Sequence, residues 1–238
     1  MASAPSVPMF EALAPHYDLM NRLISLGADG PARKRLVEAL GPLEGKSALD
    51  VATGTGDLAI ALAMRGAATR GEDLAEGMLA LAREKAEHEG LEIAFGQGDA
   101  SAPSGEWDIL TVGWGLRNLP DVGGSIQRQA RVLRPGGLWA CLDLTQPSNP
   151  IWGLLLTLWL SLLPLLARCV GAPPDAYRYL ANSVRTFPRL EALRRSMERA
   201  GLDVVLAKGL FPPGLVLLVG RKARRPSPQV RPLSATPP

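Results

Sequence analysis

Two cysteines and two histidines in 238 residues leave this chain without the usual materials for a metal centre or a disulfide framework. Cys141 and Cys169 have no ligand spacing, and His16 and His88 lie far apart, so a catalytic zinc site is not expected. A reducing cytoplasm is the compartment that such cysteine usage fits. Met1 to Pro8 holds neither a basic region nor an apolar run, so no signal peptide is expected. A net charge of only +3 gives no case for a nucleic-acid partner. No internal repeat is visible. Acidic residues stop at Asp203, whereas Arg221, Lys222, Arg224, Arg225 and Arg231 gather in a Pro-rich end. Residues 223–238 read as a disordered basic tail, with an anionic membrane surface as the sharper alternative.

What is present is enough apolar sequence, 47%, for one large domain over residues 1–222. Short apolar runs alternate with helical patterns. Strands are expected at Ser47–Ala52, Ala67–Glu72, Leu91–Gln97, Asp108–Gly113 and Gly137–Leu144, and helices at about Leu58–Met64, Glu76–Glu89 and Gly124–Leu133. Arg134-Pro135-Gly136-Gly137 reads as a sharp stop to one helix before the next strand. After a helix near Leu190–Ala200, strands at Leu202–Ala207 and Gly214–Val219 are separated by too few residues for a crossover and should form a hairpin. The expected fold is α/β: a mainly parallel sheet, helices on both faces, and one antiparallel strand near the C-terminus.

The first strand ends in Asp50-Val51-Ala52-Thr53-Gly54-Thr55-Gly56-Asp57, and Asp73 follows one β-α unit later. Gly54 and Gly56 let the backbone approach a ligand, and the next helix offers its free N–H groups there. Asp73 suits the two hydroxyls of a ribose. The spacing also fits a dinucleotide motif, so a nicotinamide enzyme is a rival. Asp50 and Asp57 favour S-adenosylmethionine, whose ammonium and sulfonium want acid where a pyrophosphate does not.

Two regions lie outside the βα series. Residues 10–40 read as an N-terminal helical lid. Residues 147–174 form an apolar insertion without charge from Ile151 to Ala167. As a helix that run is about 25 Å long, short for a hydrocarbon core of about 30 Å, and Pro164 should break its last third. A membrane span, a buried or dimer-forming helix, and an interfacial helix meeting a lipid-like substrate are the three readings left open.

Taken together the chain resembles the UbiE/MenG family of class I S-adenosylmethionine-dependent methyltransferases, which C-methylate the ring of polyprenylated quinols in ubiquinone and menaquinone biosynthesis. The resemblance rests on Phe10, Ala14, Tyr17, Asp18, Met20 and Asn21, on the glycine turn, and on Gly115-Leu116-Arg117-Asn118. Arg131 to Gly137 and Tyr177-Arg178-Tyr179-Leu180 with Ser183 extend it over most of the chain. It implies a Rossmann-like seven-stranded fold with S-adenosyl-L-methionine held by Asp50, Gly54, Thr55, Gly56, Asp73, Asp99 and Ala100. It implies a quinol held near His16, Tyr17 and Tyr177, and the pair Arg117 and Asn118 at the reacting ring. Gly113 stands where the family usually has serine, and Phe211-Pro212-Pro213-Gly214 departs from a threonine-containing stretch.

Ring methylation needs an electron-rich carbon, made by removing a proton from a neighbouring hydroxyl. Arg117 can stabilise the phenolate charge, and Asn118 can orient an oxygen. A water held by Arg117 or the imidazole of His16 would take the proton. An ion pair with Asp121 is the plain structural alternative for Arg117, a turn role for Asp99, and lid packing for Tyr17 and Tyr177. A nicotinamide oxidoreductase, a non-catalytic binding protein, a benzoquinol or another apolar acceptor, and a homodimer stay open.

Overall fold

The computed structural model describes residues 7–14, 17–169 and 174–224. The basic tail beyond residue 224 and His16 lie outside them. Three helices open the chain: α1 (Val7–Leu13), α2 (Tyr17–Ile24) and α3 (Asp29–Ala39). Five strands and their helices follow: β1 (Ser47–Val51), α4 (Asp57–Ala63), β2 (Ala68–Asp73), α5 (Glu76–His88), β3 (Ala94–Gln97), β4 (Trp107–Gly113), α6 (Val122–Arg131) and β5 (Leu133–Leu144). The chain then runs through α7 (Pro150–Cys169), α8 (Pro174–Thr186), α9 (Leu190–Arg199), β6 (Leu202–Gly209) and β7 (Leu215–Lys222).

The seven strands form one sheet in the order β3-β2-β1-β4-β5-β7-β6. Only β7 runs against its neighbours, and it pairs with β6 as the expected hairpin. Successive residues of a strand face opposite sides of the sheet, so each central strand feeds two cores. Ala48, Ile109, Ala140, Leu142 and Leu217 join the helices α3, α7 and α8 on one side. Leu49, Leu110, Trp139, Cys141 and Leu218 join α6 and α9 on the other. Trp139 donates its indole N–H to Gln129 Oε1 at 2.8 Å, and the Gln129 amide donates to the Ala100 carbonyl at 2.7 Å. That chain of bonds lets a polar side chain stay fully buried and fastens the loop after β3 to α6.

Several boundaries differ from the sequence reading, three of them for a visible physical reason. Leu91 donates its N–H to Ala86 O at 2.9 Å, closing the end of α5, so β3 starts only at Ala94. Leu133 already pairs with Trp107, which makes the Arg134–Gly137 stretch the irregular start of β5 rather than a separate turn. Helix α7 continues through Pro164 to Cys169. Leu160, Leu163 and Ala167 are buried on either side of that proline, and their packing outweighs the missing hydrogen bond.

Candidate active site

The strand order reverses between β1 and β4, where an open α/β sheet leaves a crevice beyond the strand ends. Ala52, after β1, and Trp114, after β4, both take left-handed backbone conformations, with φ of +51° and +59°. For a bulky residue this is a strained conformation that the surroundings must impose. Trp114 is pinned by its own N–H, which donates to Leu142 O at 2.7 Å, and by Arg117 Nη1, which donates to its carbonyl at 2.6 Å.

A cavity of about 250 Å³ fills the β1 side of this crevice. Asp73 stands on one wall, its carboxylate accepting N–H bonds from Gly54 at 2.9 Å and Ala75 at 3.0 Å. Burial raises its pKa above the ordinary carboxylate value against those bonds. Leu74, Met78, Ala100 and Leu119 give apolar walls, and Asp99 sits beside them. Asp99 also accepts the Ser101 N–H at 2.8 Å, so it is a turn residue and a lining residue at once. No lysine or arginine lines this cavity among the described residues. A pyrophosphate would meet Asp73 and Asp99 with no cation to offset them, whereas a neutral adenosine carrying a cationic tail fits. The donor set therefore fits S-adenosylmethionine.

Asp50 lies deeper, between β1 and β4. The hydroxyls of Thr53 and Thr111 each donate to it at 2.6 Å. Burial is the main cause that lifts its pKa to about 6. It borders a small void shared with Thr55, Gly113 and Trp114. The Thr55 hydroxyl donates to Asp18 at 2.7 Å and accepts from Lys85 at 2.9 Å, so its one proton is already engaged. Gly56 has φ of +80° as it enters α4, where a Cβ would lie 2.8 Å from Ala82 Cβ. Asp57 departs from the sequence reading. It is neutralised by Arg33 at 2.9 Å and Lys85 at 2.8 Å, and it offers no free acid to a cofactor.

The first two N-terminal helices form part of the wall of the larger cavity. Val7, Phe10 and Tyr17 line it, Tyr17 lies against Gly54, and Asp18 pairs with Lys85 at 2.6 Å. Glu11 accepts the Gly77 N–H at 3.0 Å, capping α5 from the neighbouring α1.

On the other side of Asn118 is a second, smaller cavity of about 40 Å³, lined by Tyr17, Asn21, Arg117, Asn118, Tyr177 and Tyr179. Arg117 begins no ion pair with Asp121, which instead caps α6 by accepting the Gly124 N–H at 2.9 Å. Its partner is Asp143 on β5, at 2.6 Å. Arg117 Nε and Tyr177 Oη are buried without a hydrogen-bond partner among the described residues. Burial pushes the Tyr177 hydroxyl up to about 12 and also raises Tyr17 and Tyr179, so each is a neutral donor at physiological pH. The Tyr179 hydroxyl lies 3.3 Å from Asn118 Oδ1. Arg117, Asn118, Tyr17 and Tyr177 are thus brought together, with Tyr179 and Asp143 as additions. The Tyr-x-Tyr-Leu motif held the signal for Tyr179, whereas Asp143 sits in an apolar strand with no local mark.

Comparison with known proteins supplies an independent line. The model of the ubiE/COQ5 methyltransferase family matches residues 4–212. The demethylmenaquinone methyltransferase of Thermus thermophilus is 43% identical over 202 residues, covering 82% of this chain and 92% of its own. That of Deinococcus radiodurans is 39% identical over 200 residues, covering 81% and 83%. Among solved structures, an S-adenosylmethionine-dependent methyltransferase from Mesorhizobium loti aligns with a TM-score of 0.60 at 19% identity, covering 82% of this chain and all of that one. Magnesium protoporphyrin IX methyltransferase from Synechocystis, with bound SAH, aligns at 0.61 and 18% identity over 83% and 84%. At such identities the structural likeness establishes the class I methyltransferase fold alone.

Proposed function

This chain belongs to the ubiE/COQ5 methyltransferase family, and on that premise we propose that it methylates a ring carbon of a polyprenylated quinol, demethylmenaquinol to menaquinol. It is an S-adenosylmethionine-dependent methyltransferase. The observation that carries the acceptor reading is the pair of cavities on either side of Asn118: one acidic and lined by no cation among the described residues, the other lined by Arg117 and Tyr177, whose buried Nε–H and O–H have no hydrogen-bond partner among the described residues. The curated relatives, named for demethylmenaquinone, favour a naphthoquinol over a benzoquinol. The nicotinamide reading is not favoured, since among the described residues the larger cavity is lined by no cation for a pyrophosphate.

S-adenosylmethionine supplies an electrophilic methyl group when bound. In this reading Asp73 takes the ribose hydroxyls, and Asp99 accepts from the adenine amino group. The small cavity receives a quinol oxygen, to which Arg117 Nε–H and Tyr177 O–H donate. Both donors sit in a water-poor setting where a developing phenolate is strongly stabilised. Asn118 bridges the two cavities and orients the ring. The quinol hydroxyl gives its proton to a water in the polar cavity or to His16 as the ring carbon gains the methyl, and the ring carbon's own proton then returns to that oxygen, so that one proton is released overall. The product sulfur compound is S-adenosylhomocysteine. Exclusion of bulk water by the lid and by α8 positions the two reactants for in-line displacement.

Quinone profiling by mass spectrometry in cells lacking this protein tests the reading. A menaquinone precursor one methyl group lighter should accumulate, and the purified chain with labelled S-adenosylmethionine should restore the mass. An unchanged quinone profile would refute the acceptor.

A further inference from the structure

Helix α7 keeps apolar side chains in solvent along one face. Ile151, Leu154, Leu158, Leu162 and Leu165 each expose more than half of their surface, and Leu155 nearly so. Their spacing of three and four residues puts them on one stripe, about 21 Å long at 1.5 Å per residue. The opposite face, Leu160, Leu163 and Ala167, is buried in the core beneath α8. By length and composition alone Pro150–Arg168 is apolar enough to cross a membrane, yet one face is committed to the domain. A helix packed along one side and apolar along the other lies on a surface rather than through it.

The flank of the stripe settles which surface. Arg168 of α7 and Arg178 and Arg185 of α8 line a groove beside Ser161 and Leu165. Arg178 pairs with exposed Asp175, while Arg168 and Arg185 make no ion pair among the described residues. From Thr145 to Arg189 Asp175 is the one acidic residue in the sequence, against four arginines. A second copy docked about a two-fold axis would set like arginines close together with little acid to receive them. Phosphate headgroups present negative charge at the level of the flank and acyl chains at the level of the stripe.

We propose that α7 and α8 form an in-plane docking face for an anionic lipid surface, the leucine stripe entering the acyl boundary and Arg168, Arg178 and Arg185 resting on phosphates. Helix α7 follows directly from β5, which carries Asp143, and α8 carries Tyr177 and Tyr179. The docked face is therefore continuous with the wall of the Arg117 cavity. Delivery of a prenylated acceptor from the lipid phase rests on the function proposed above; the docking itself does not.

The test uses the full chain with vesicles of phosphatidylcholine alone and of phosphatidylcholine mixed with phosphatidylglycerol. Wild-type protein should sediment with the mixed vesicles and be released by salt. The variant L154E/L158E/L162E should lose binding to both by roughly tenfold or more. The variant R168Q/R178Q/R185Q should lose binding only to the mixed vesicles, by roughly fivefold per charge removed. Both should bind S-adenosylhomocysteine as wild type does and methylate a short-chain quinol in solution at the wild-type rate. Failure of the wild type to methylate the short-chain quinol, with vesicle binding intact, refutes the acceptor and upholds the docking face. Equal vesicle binding by wild type and both variants overturns the proposal. So does a wild-type dimer in light scattering that the glutamate variant dissociates, which would assign the stripe to a second copy.

Discussion

Asp143 Oδ1 accepts from Arg117 Nη1 at 2.6 Å while Asp143 Oδ2 accepts from the Arg117 backbone N–H at 3.1 Å, so one buried carboxylate holds a single residue at both ends. The guanidinium is thereby fixed beside the small cavity, with Nε buried and without a hydrogen-bond partner among the described residues. Arg117→Ala should lower kcat by roughly 10²- to 10³-fold, in the range of a lost oxyanion-stabilising donor, while the affinity for S-adenosylhomocysteine stays close to wild type. Asp143→Ala leaves a cation buried without its partner and should cost about 3–5 kcal/mol of stability. Asp143→Asn keeps the shape and should separate the two effects, with a modest loss of stability and a clear fall in kcat. A near-normal kcat in Arg117→Ala would remove Arg117 from the chemistry.

Asp50 gives a pH prediction of definite sign. Its pKa is raised from 3.8 to about 6 in the folded state, so the native protein holds the proton more tightly than the unfolded chain. Its contribution to stability is complete below about pH 4 and is lost as pH climbs through 6, by at most about 1.4 kcal/mol per pH unit. A cationic cofactor stabilises the ionised form, so its binding should tighten as pH rises from 5 to 7.5. Calorimetric titration with S-adenosylmethionine should show this gain, and Asp50→Asn should flatten it. A pH-independent affinity in the wild type would place Asp50 outside the cofactor's electrostatics.

The sheet was legible because its strands are short apolar runs that alternate with glycine turns and helical patterns, a local signal that packing reinforces. That Gly54 and Asp73 lie together was legible for the same reason, since both belong to a single β-α-β unit and line one cavity. Asp57 was misread because its partners, Arg33 and Lys85, come from α3 and α5, and only the tertiary fold brings them to it. Asp143 was invisible between Leu142 and Leu144 because its meaning depends on β5 lying beside β4. Pro164 misled in a different way, since the packing of its neighbours overrode a local penalty.

The N-terminal helices, if they act as the proposed lid, should govern cofactor affinity more than stability. Asp18 accepts from the Thr55 hydroxyl and pairs with Lys85, and Glu11 caps α5, so the N-terminal helices are tied down by polar contacts that are partly open to water. Such contacts are worth little individually. Asp18→Ala combined with Glu11→Ala should leave the melting temperature within a few degrees of wild type yet weaken S-adenosylhomocysteine binding by roughly three- to tenfold, through faster release. Stopped-flow dissociation measures this directly. Unchanged release rates would mean that other contacts hold the lid.

Ala52 and Gly115 meet where the loops after β1 and β4 cross. A Cβ on Gly115 would lie 2.6 Å from the Ala52 Cβ, closer than two carbons can stand, and Ala52 itself is held at φ +51°. Gly115→Ala must therefore push these loops apart, at a cost of about 1–3 kcal/mol. Because Trp114 and its carbonyl, the anchor of Arg117, adjoin Gly115, kcat should fall with stability. Ala52→Gly removes both the opposing Cβ and the backbone strain, and should by itself stabilise by up to about 1 kcal/mol. In the double variant the new methyl occupies the space vacated by the old one. Chemical denaturation of the four proteins should then give a coupling energy of about 1 kcal/mol or more, with kcat recovering in step. Additive effects would mean that Gly115 is required for some reason other than this crossing.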